Sequence, residues 1–292
     1  MADPVNTISS FTYRNKYMSA NLQQVLRRAL VAEKLCTVDR TDLYTIQNPY
    51  GSQPTATVSG LTGTYAISNF TTTDDALTVT EQVAYSEHIY RFNDVMSNFN
   101  LFANRADELA YAVKAAIDIY VINMLTEAGT GTYTTPTGGF ATAANINTIM
   151  ANLTSKVAGY KDIYNGLFLV IEPTDLVGFS IAGATNGFTM ADMTLNNGFA
   201  GRWMGVDIYV VPASTFTTVS SADSTSGTQT WSNSGHRVFG VKGVSTFASP
   251  RGVSYVEKAV SGKTGMEIEI DCVIGFKLWT QKAGLVVDIT LA

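Results

Sequence analysis

Asn104-Arg105-Ala106-Asp107-Glu108-Leu109-Ala110-Tyr111-Ala112-Val113-Lys114-Ala115-Ala116-Ile117-Asp118-Ile119-Tyr120-Val121-Ile122-Asn123-Met124-Leu125-Thr126-Glu127 is the most regular stretch of this chain. Ala106, Leu109, Val113, Ala116, Ile117, Tyr120, Val121, Met124 and Leu125 recur at three- and four-residue spacing. They form one apolar stripe, the pattern of a long amphipathic helix over 104–127. Asn104 offers an N-cap, Asp107 and Glu108 fall where the helix dipole favours anions, and Gly129 offers a stop. Lys114 and Asp118 are spaced for an i,i+4 pair.

Upstream of this helix the pattern changes. Residues 41–92 show no helical period and carry frequent turn signals, among them Asn48-Pro49-Tyr50-Gly51 and Thr73-Asp74-Asp75. The longest strand-like run is Leu77 to Phe92. Val79, Val83, Tyr85 and Ile89 share one parity there, hence one face of a strand. Sixteen residues is long for a strand in a compact domain. The segment reads as a two-stranded excursion with little core of its own, which must lie on another surface. The face of Val79, Val83, Tyr85 and Ile89 is therefore expected to lose water only on assembly.

Residues 1–40 hold six basic and three acidic groups, so this arm is +3 and the remainder −8. Leu22, Val25, Leu26, Ala29 and Leu30 fall at helical spacing within it, with Ser19 as a cap. Arg14, Arg27 and Arg28 give the arm its charge. Arg27 and Arg28 lie beside the apolar stripe, either as a solvated face or as contacts to a neighbour's acidic surface.

Downstream, 129–139 reads as a flexible Thr/Gly stretch, and strands and helices then alternate. A helix fits 143–157, a buried strand 166–171, a short helix 174–181 and a strand 206–211. Residues 214–235 hold 13 Ser or Thr and read as a surface loop. A strand at 237–241, a helical turn near 244–248 and three strands at 253–260, 266–278 and 285–291 complete an α+β chain.

Composition excludes several classes. The chain has 292 residues, 46% hydrophobic and only 15% charged, well below the usual quarter. Such hydrophobicity excludes disorder, and a charge-poor surface points to one that is largely covered. The net charge of −5 disfavours a strongly basic nucleic-acid binder. No uninterrupted run reaches 18 apolar residues, so no transmembrane helix is expected, and no secretory leader is visible. Cys36 and Cys272 read as reduced, packed thiols.

No catalytic constellation stands out. Ser261-Gly262-Lys263-Thr264 resembles the end of a phosphate loop, but Glu257 occupies the position of the required first glycine and a strand follows. His88 and His236 are the only histidines, and nothing in the sequence locates triad partners for them. Asp74-Asp75 and Glu267/Glu269 are the acidic pairs available to a cation, and Asp-Asp in a turn is ordinary turn chemistry. No enzyme activity, cofactor or metal is expected.

The order of segments resembles the major capsid protein of tailed bacteriophages, the Hong Kong 97-type fold. Residues 104–118 are similar to its spine helix, and Leu167-Phe168-Leu169-Val170-Ile171-Glu172-Pro173 to its axial-domain strand and the start of a helix. Asn197-Gly198-Phe199-Ala200-Gly201-Arg202-Trp203-Met204-Gly205-Val206-Asp207-Ile208-Tyr209 is similar to its glycine-marked turn into a strand. The resemblance implies an N-arm (1–40), an extended loop (41–92), a peripheral domain (93–141 with 249–292) and an axial domain (142–248). It implies pentamers and hexamers closing into an icosahedral shell around double-stranded DNA, assembled in the host cytoplasm and located in the virion. The partners implied are further copies, a portal and a decoration or cement protein, with no membrane. The arm starts at Met1 with no heptad block before it, so a separate scaffolding protein is expected rather than a removed propeptide. Some members crosslink through a lysine of the extended loop. No lysine lies between Lys34 and Lys114, so a non-covalent shell is expected. The alternatives are an encapsulin-type nanocompartment shell and, in a different class, a Thr-rich adhesin or a hydrolase.

Overall fold

A computed structural model of the chain describes residues 30–292 apart from 41, 53, 55, 57, 59–60, 62, 64–68, 91–100, 161–165, 186–197, 217, 224–226 and 263. At 101–104, 185, 218–223 and 227–232 only the backbone is described. The arm helix expected before Leu30 lies outside these residues, as do Arg14, Arg27 and Arg28.

The chain enters through one helical turn, α1 (Ala32–Leu35), and a short strand, β1 (Thr37–Asp39). It then runs out along β2 (Thr45–Gln47) and β3 (Tyr50–Gly51) and returns along β4 (Thr72–Thr73) and β5 (Ala76–Thr78). β2 pairs with β5 and β3 with β4, both antiparallel. Next come β6 (Glu81–Ile89), α2 (Leu101–Ala128), β7 (Gly131–Thr134), α3 (Ala143–Val157), β8 (Leu167–Ile171) and α4 (Pro173–Thr185). Two hairpins follow, β9 (Phe199–Trp203) with β10 (Val206–Val210) and β11 (Thr218–Asp223) with β12 (Gly227–Ser232). The last strands are β13 (His236–Val241), β14 (Ser245–Ala248), β15 (Ser254–Ala259), β16 (Met266–Leu278) and β17 (Val286–Thr290).

Two larger sheets result. One has the order β7-β17-β13-β8-β10-β9. Every residue of β8 and β10 is buried, as continuous apolar runs such as Leu167–Ile171 require at the centre of a covered sheet. The other is organised by β16, which pairs antiparallel with β6 along 266–274, with β15 along 266–271 and with β14 along 275–278; β1 adds to β14 in parallel. Ile268, Ile270, Cys272 and Ile274 alternate inward on β16, the period of a strand with one covered face.

α2 joins the two sheets. Its N-terminal part is tied to β6 by the Arg105–Glu87 pair, and beyond its C-terminus Gly129 lies against Val286 at the start of β17. Leu109, Val113, Val121, Ile122 and Leu125 are buried in one continuous core. The helix begins at Leu101, so Asn104 is inside it rather than at its cap, and no acidic residue lies in the first turn. Ala116, in the predicted stripe, is exposed, whereas Asp118 and Ile122, outside it, are buried. More than one flank is covered, because Val31 and Ala32 pack on the side away from the expected stripe. Asp118 accepts both of their backbone N–H groups at 2.7 Å. By length and mean hydropathy alone, 1.4 over 18 residues, Arg105–Ala128 is long and apolar enough to cross a membrane, although no uninterrupted apolar run of that length is present. Its buried residues nevertheless belong to the chain's own core.

Four local readings are also corrected. The Thr/Gly stretch contains β7, which pairs in parallel with β17. The Ser/Thr-rich loop contains the β11–β12 hairpin. The helical turn near 244–248 is β14, paired on both edges by β1 and β16. The run 77–92 is two strands, and its second, β6, belongs to the β16 sheet rather than to the excursion.

Candidate assembly surface

The excursion 45–78 is a two-stranded ladder, continued between its strands by Asn48 N–H to Asp75 O at 2.7 Å and Ser52 N–H to Thr71 O at 2.8 Å. An isolated two-stranded ribbon is marginal in water. Among its described residues a core is found at the base, where Leu77 and Val79 pack with Ala248 and Trp279. Trp279 is oriented by its indole N–H, which donates to Thr246 Oγ1 at 2.9 Å. Leu43 and Tyr44 beside this base, and Val58, Leu61 and Phe70 outward from it, are exposed. Such apolar side chains on a coreless ribbon mark a surface awaiting cover.

Asp75 fastens the base. One oxygen accepts the Thr280 N–H at 2.8 Å and the other lies 3.0 Å from Lys277 Nζ. Its role is this anchor. Burial by itself would raise its pKa, but the Thr280 N–H and Lys277 outweigh burial and hold it below the ordinary 3.8. A lowered folded value contributes stability above the unfolded value and loses it as pH falls through the folded one. Below about pH 4 the excursion base is therefore expected to loosen. Amide protection at 45–47 and 76–78 should fall with pH in the wild type and already be low in Asp75→Asn. An acid profile unchanged by that substitution would contradict the anchor.

The four strand residues expected to wait for a neighbour are divided by the structure. Val79 is buried against Trp279, Ile89 is buried in the main core, and Val83 is packed against it. These three lose water within the chain itself, a correction with plain causes: Trp279 covers Val79, and β6, which carries Val83 and Ile89, has β16 as partner and packs on α2. Tyr85, 52% exposed, is the one of the four still open to solvent. Sequence reasoning missed the exposed Leu43, Tyr44, Val58, Leu61 and Phe70, which carry no strand alternation to reveal them.

The groups considered for chemistry are engaged or isolated. His236 Nδ1 lies 2.9 Å from Asp288 Oδ1, and no described hydroxyl or thiol hydrogen-bonds either histidine. Both nitrogens of His88 are buried without a partner, and its ring meets Tyr90 edge-on at 4.7 Å. Among the described residues no group of three or more His, Cys, Asp or Glu is placed to hold a metal. Cys36 and Cys272 are free and buried, and burial pushes the Cys36 thiol up to about 12.

No protein-family model matches the chain, and no curated protein sequence matches it. Solved structures do. A structure from Mycobacterium phage Che8 superposes with a TM-score of 0.72 at 13% identity, covering 94% of this chain and 96% of that one. The capsid structure of the cyanophage P-SCSP1u gives 0.69 at 13% identity over 95% and 92%. The capsid of an empty GTA particle gives 0.68 at 14% identity over 100% and 99%. At such identities the likeness is one of fold, and it extends over essentially the whole of each chain.

Proposed function

We propose that this chain is a major capsid protein, whose copies assemble as pentamers and hexamers into an icosahedral, non-covalent shell around double-stranded DNA. The observation that carries the reading is the end-to-end likeness to capsid structures, with no large part of either chain left over. The excursion supports it: a two-stranded ribbon with exposed apolar side chains is a poor design for a monomer and a reasonable one for a subunit covered by its neighbours. In this reading 1–40 is the N-arm, 41–92 the extended loop, 93–141 with 249–292 the peripheral domain around the spine helix, and 142–248 the axial domain. Tyr85 and the excursion's apolar residues are contacts between copies, as are Arg14, Arg27 and Arg28 of the arm. Assembly takes place in the host cytoplasm, the product resides in the virion, and portal and decoration proteins complete it.

Electron micrographs of the expressed protein test this reading. Closed particles protecting DNA from nuclease are expected, and a monodisperse monomer at high concentration would overturn it. Boiled in detergent, the particles should run as one band near 31.4 kDa. A ladder of linked chains would refute the non-covalent shell.

A further inference from the structure

The body's cations are unevenly placed. Six of those described border the segment 30–40, where the arm joins the body: Lys34, Arg40, Lys114, Arg202, Lys242 and Arg251. Arg40, Lys114 and Arg251 line one cleft of about 660 Å3 beside Leu30 and Glu33. Lys34 and Lys242 place their Nζ atoms 5.9 and 5.2 Å from the centroid of the Tyr209 ring. Lys242 also donates to Tyr209 Oη at 3.0 Å and to Asp207 at 2.5 Å, and Arg202 Nε donates to the other Asp207 oxygen at 2.7 Å.

The carboxylates nearby do not neutralise this surface. Asp207 lies between two cations, Asp118 faces the amides of Val31 and Ala32, and Glu33 meets Arg40 at 3.5 Å. Among the described residues, Glu33, Asp39, Asp118 and Asp207 stand against the six cations, so by this count the surface is net positive on a chain of net −5. Lys114 and Arg251 have no ion-pair partner among the described residues.

Exposed lysines and arginines gain little from a neighbour's carboxylates, about 0–1 kcal/mol per pair, and require fixed geometry to gain even that. Against a polyphosphate the same dispersed charges each release counterions without needing a shaped counterpart. We infer that the surface around the root of the arm, formed by Lys34, Arg40, Lys114, Arg202, Lys242 and Arg251, meets the phosphate backbone of double-stranded DNA without reading its sequence. The inference rests on the capsid reading, and it names the face of the subunit turned toward the packaged polymer.

The test measures binding of a short random-sequence duplex to unassembled full-length subunits across a salt series. Arg40→Gln, Lys114→Gln and Arg251→Gln together should lower the slope of log affinity against log salt by roughly three, close to one per phosphate contact. Lys156→Gln, Lys258→Gln and Lys282→Gln together remove the same charge elsewhere and should leave the slope unchanged. Absent wild-type binding, or equal loss in both triples, overturns the inference. A first triple that keeps its slope but forms no particles also overturns it, in favour of a contact between copies. Particles from a wild type that binds no duplex would sink this inference alone. A wild type that forms no particles but shows the predicted slopes would sink the capsid reading and leave the DNA surface standing.

Discussion

Val113→Pro is expected to yield no soluble, assembled protein. Val113 is 2% exposed near the middle of the 28-residue α2. Proline there removes one backbone hydrogen bond and drives its ring into the preceding carbonyl, at roughly 3 kcal/mol or more. That alone is a large part of the ~5–15 kcal/mol that holds a domain together. The position multiplies the damage, because α2 packs on β6 and β16 of one sheet and on β13 and β17 of the other. A kink at Val113 pulls one sheet from the other. Val113→Ala, which keeps the backbone bond and the helix, should cost less and remain soluble. Soluble yield and micrographs of the two variants decide it, and assembled Val113→Pro particles would show that the two sheets do not depend on a continuous α2.

Arg237→Met should be the most damaging single change in the 142–248 region. Arg237, on β13, has a side chain only 3% exposed. Its Nε donates to Asp175 at 2.5 Å and Nη1 to the His236 carbonyl at 2.7 Å, Nη2 forms an ion pair with Glu172 at 3.1 Å, and the guanidinium lies 5.2 Å above the Phe216 ring. Pro173 opens α4 where its missing N–H is harmless, and Asp175 reaches back to the Glu172 N–H at 3.1 Å, half of a capping box. The arginine thus ties a helix start to the middle of the six-stranded sheet. Removing it leaves two carboxylates without their cation, at a cost of about 3–5 kcal/mol for breaking a buried pair. Denaturant midpoints of the unassembled subunit should fall accordingly. Adding Asp175→Asn should return part of the loss, since one uncompensated charge is then gone. An unchanged midpoint in Arg237→Met would mean that the cluster contributes no net stability.

How legible the chain was follows from the source of each element's stability. α3 and β16 were readable to the residue, because Ile146, Ile149, Met150, Leu153 and Val157 repeat at helical spacing and Ile268, Ile270, Cys272 and Ile274 at strand spacing. β7 and the β11–β12 hairpin were not readable. They are held by backbone pairing, and a ladder of threonine and glycine leaves no apolar period behind. β14 looked like a turn because all four of its residues are buried, which erases the alternation that marks a half-exposed strand. α4 runs to Thr185, beyond the expected end at 181, and Gly178 lets it approach the Phe140 carbonyl, where a Cβ would come within 1.9 Å.

The candidate surface divides along the same line. Composition, the order of segments and the lack of core in the excursion were properties of the sequence alone, because they depend on residue type and local period. Which side chains stay open was decided by tertiary structure. Val79 and Ile89 share parity with Tyr85, yet Trp279 covers the first, the main core covers the second, and Tyr85 stays exposed. The convergence of Lys114, Arg202, Lys242 and Arg251 on the root of the arm could not be read from their positions along the chain. Charges separated by up to 137 residues become one surface only when α2, β9, the β13–β14 turn and the β14–β15 turn are folded around the segment 30–40.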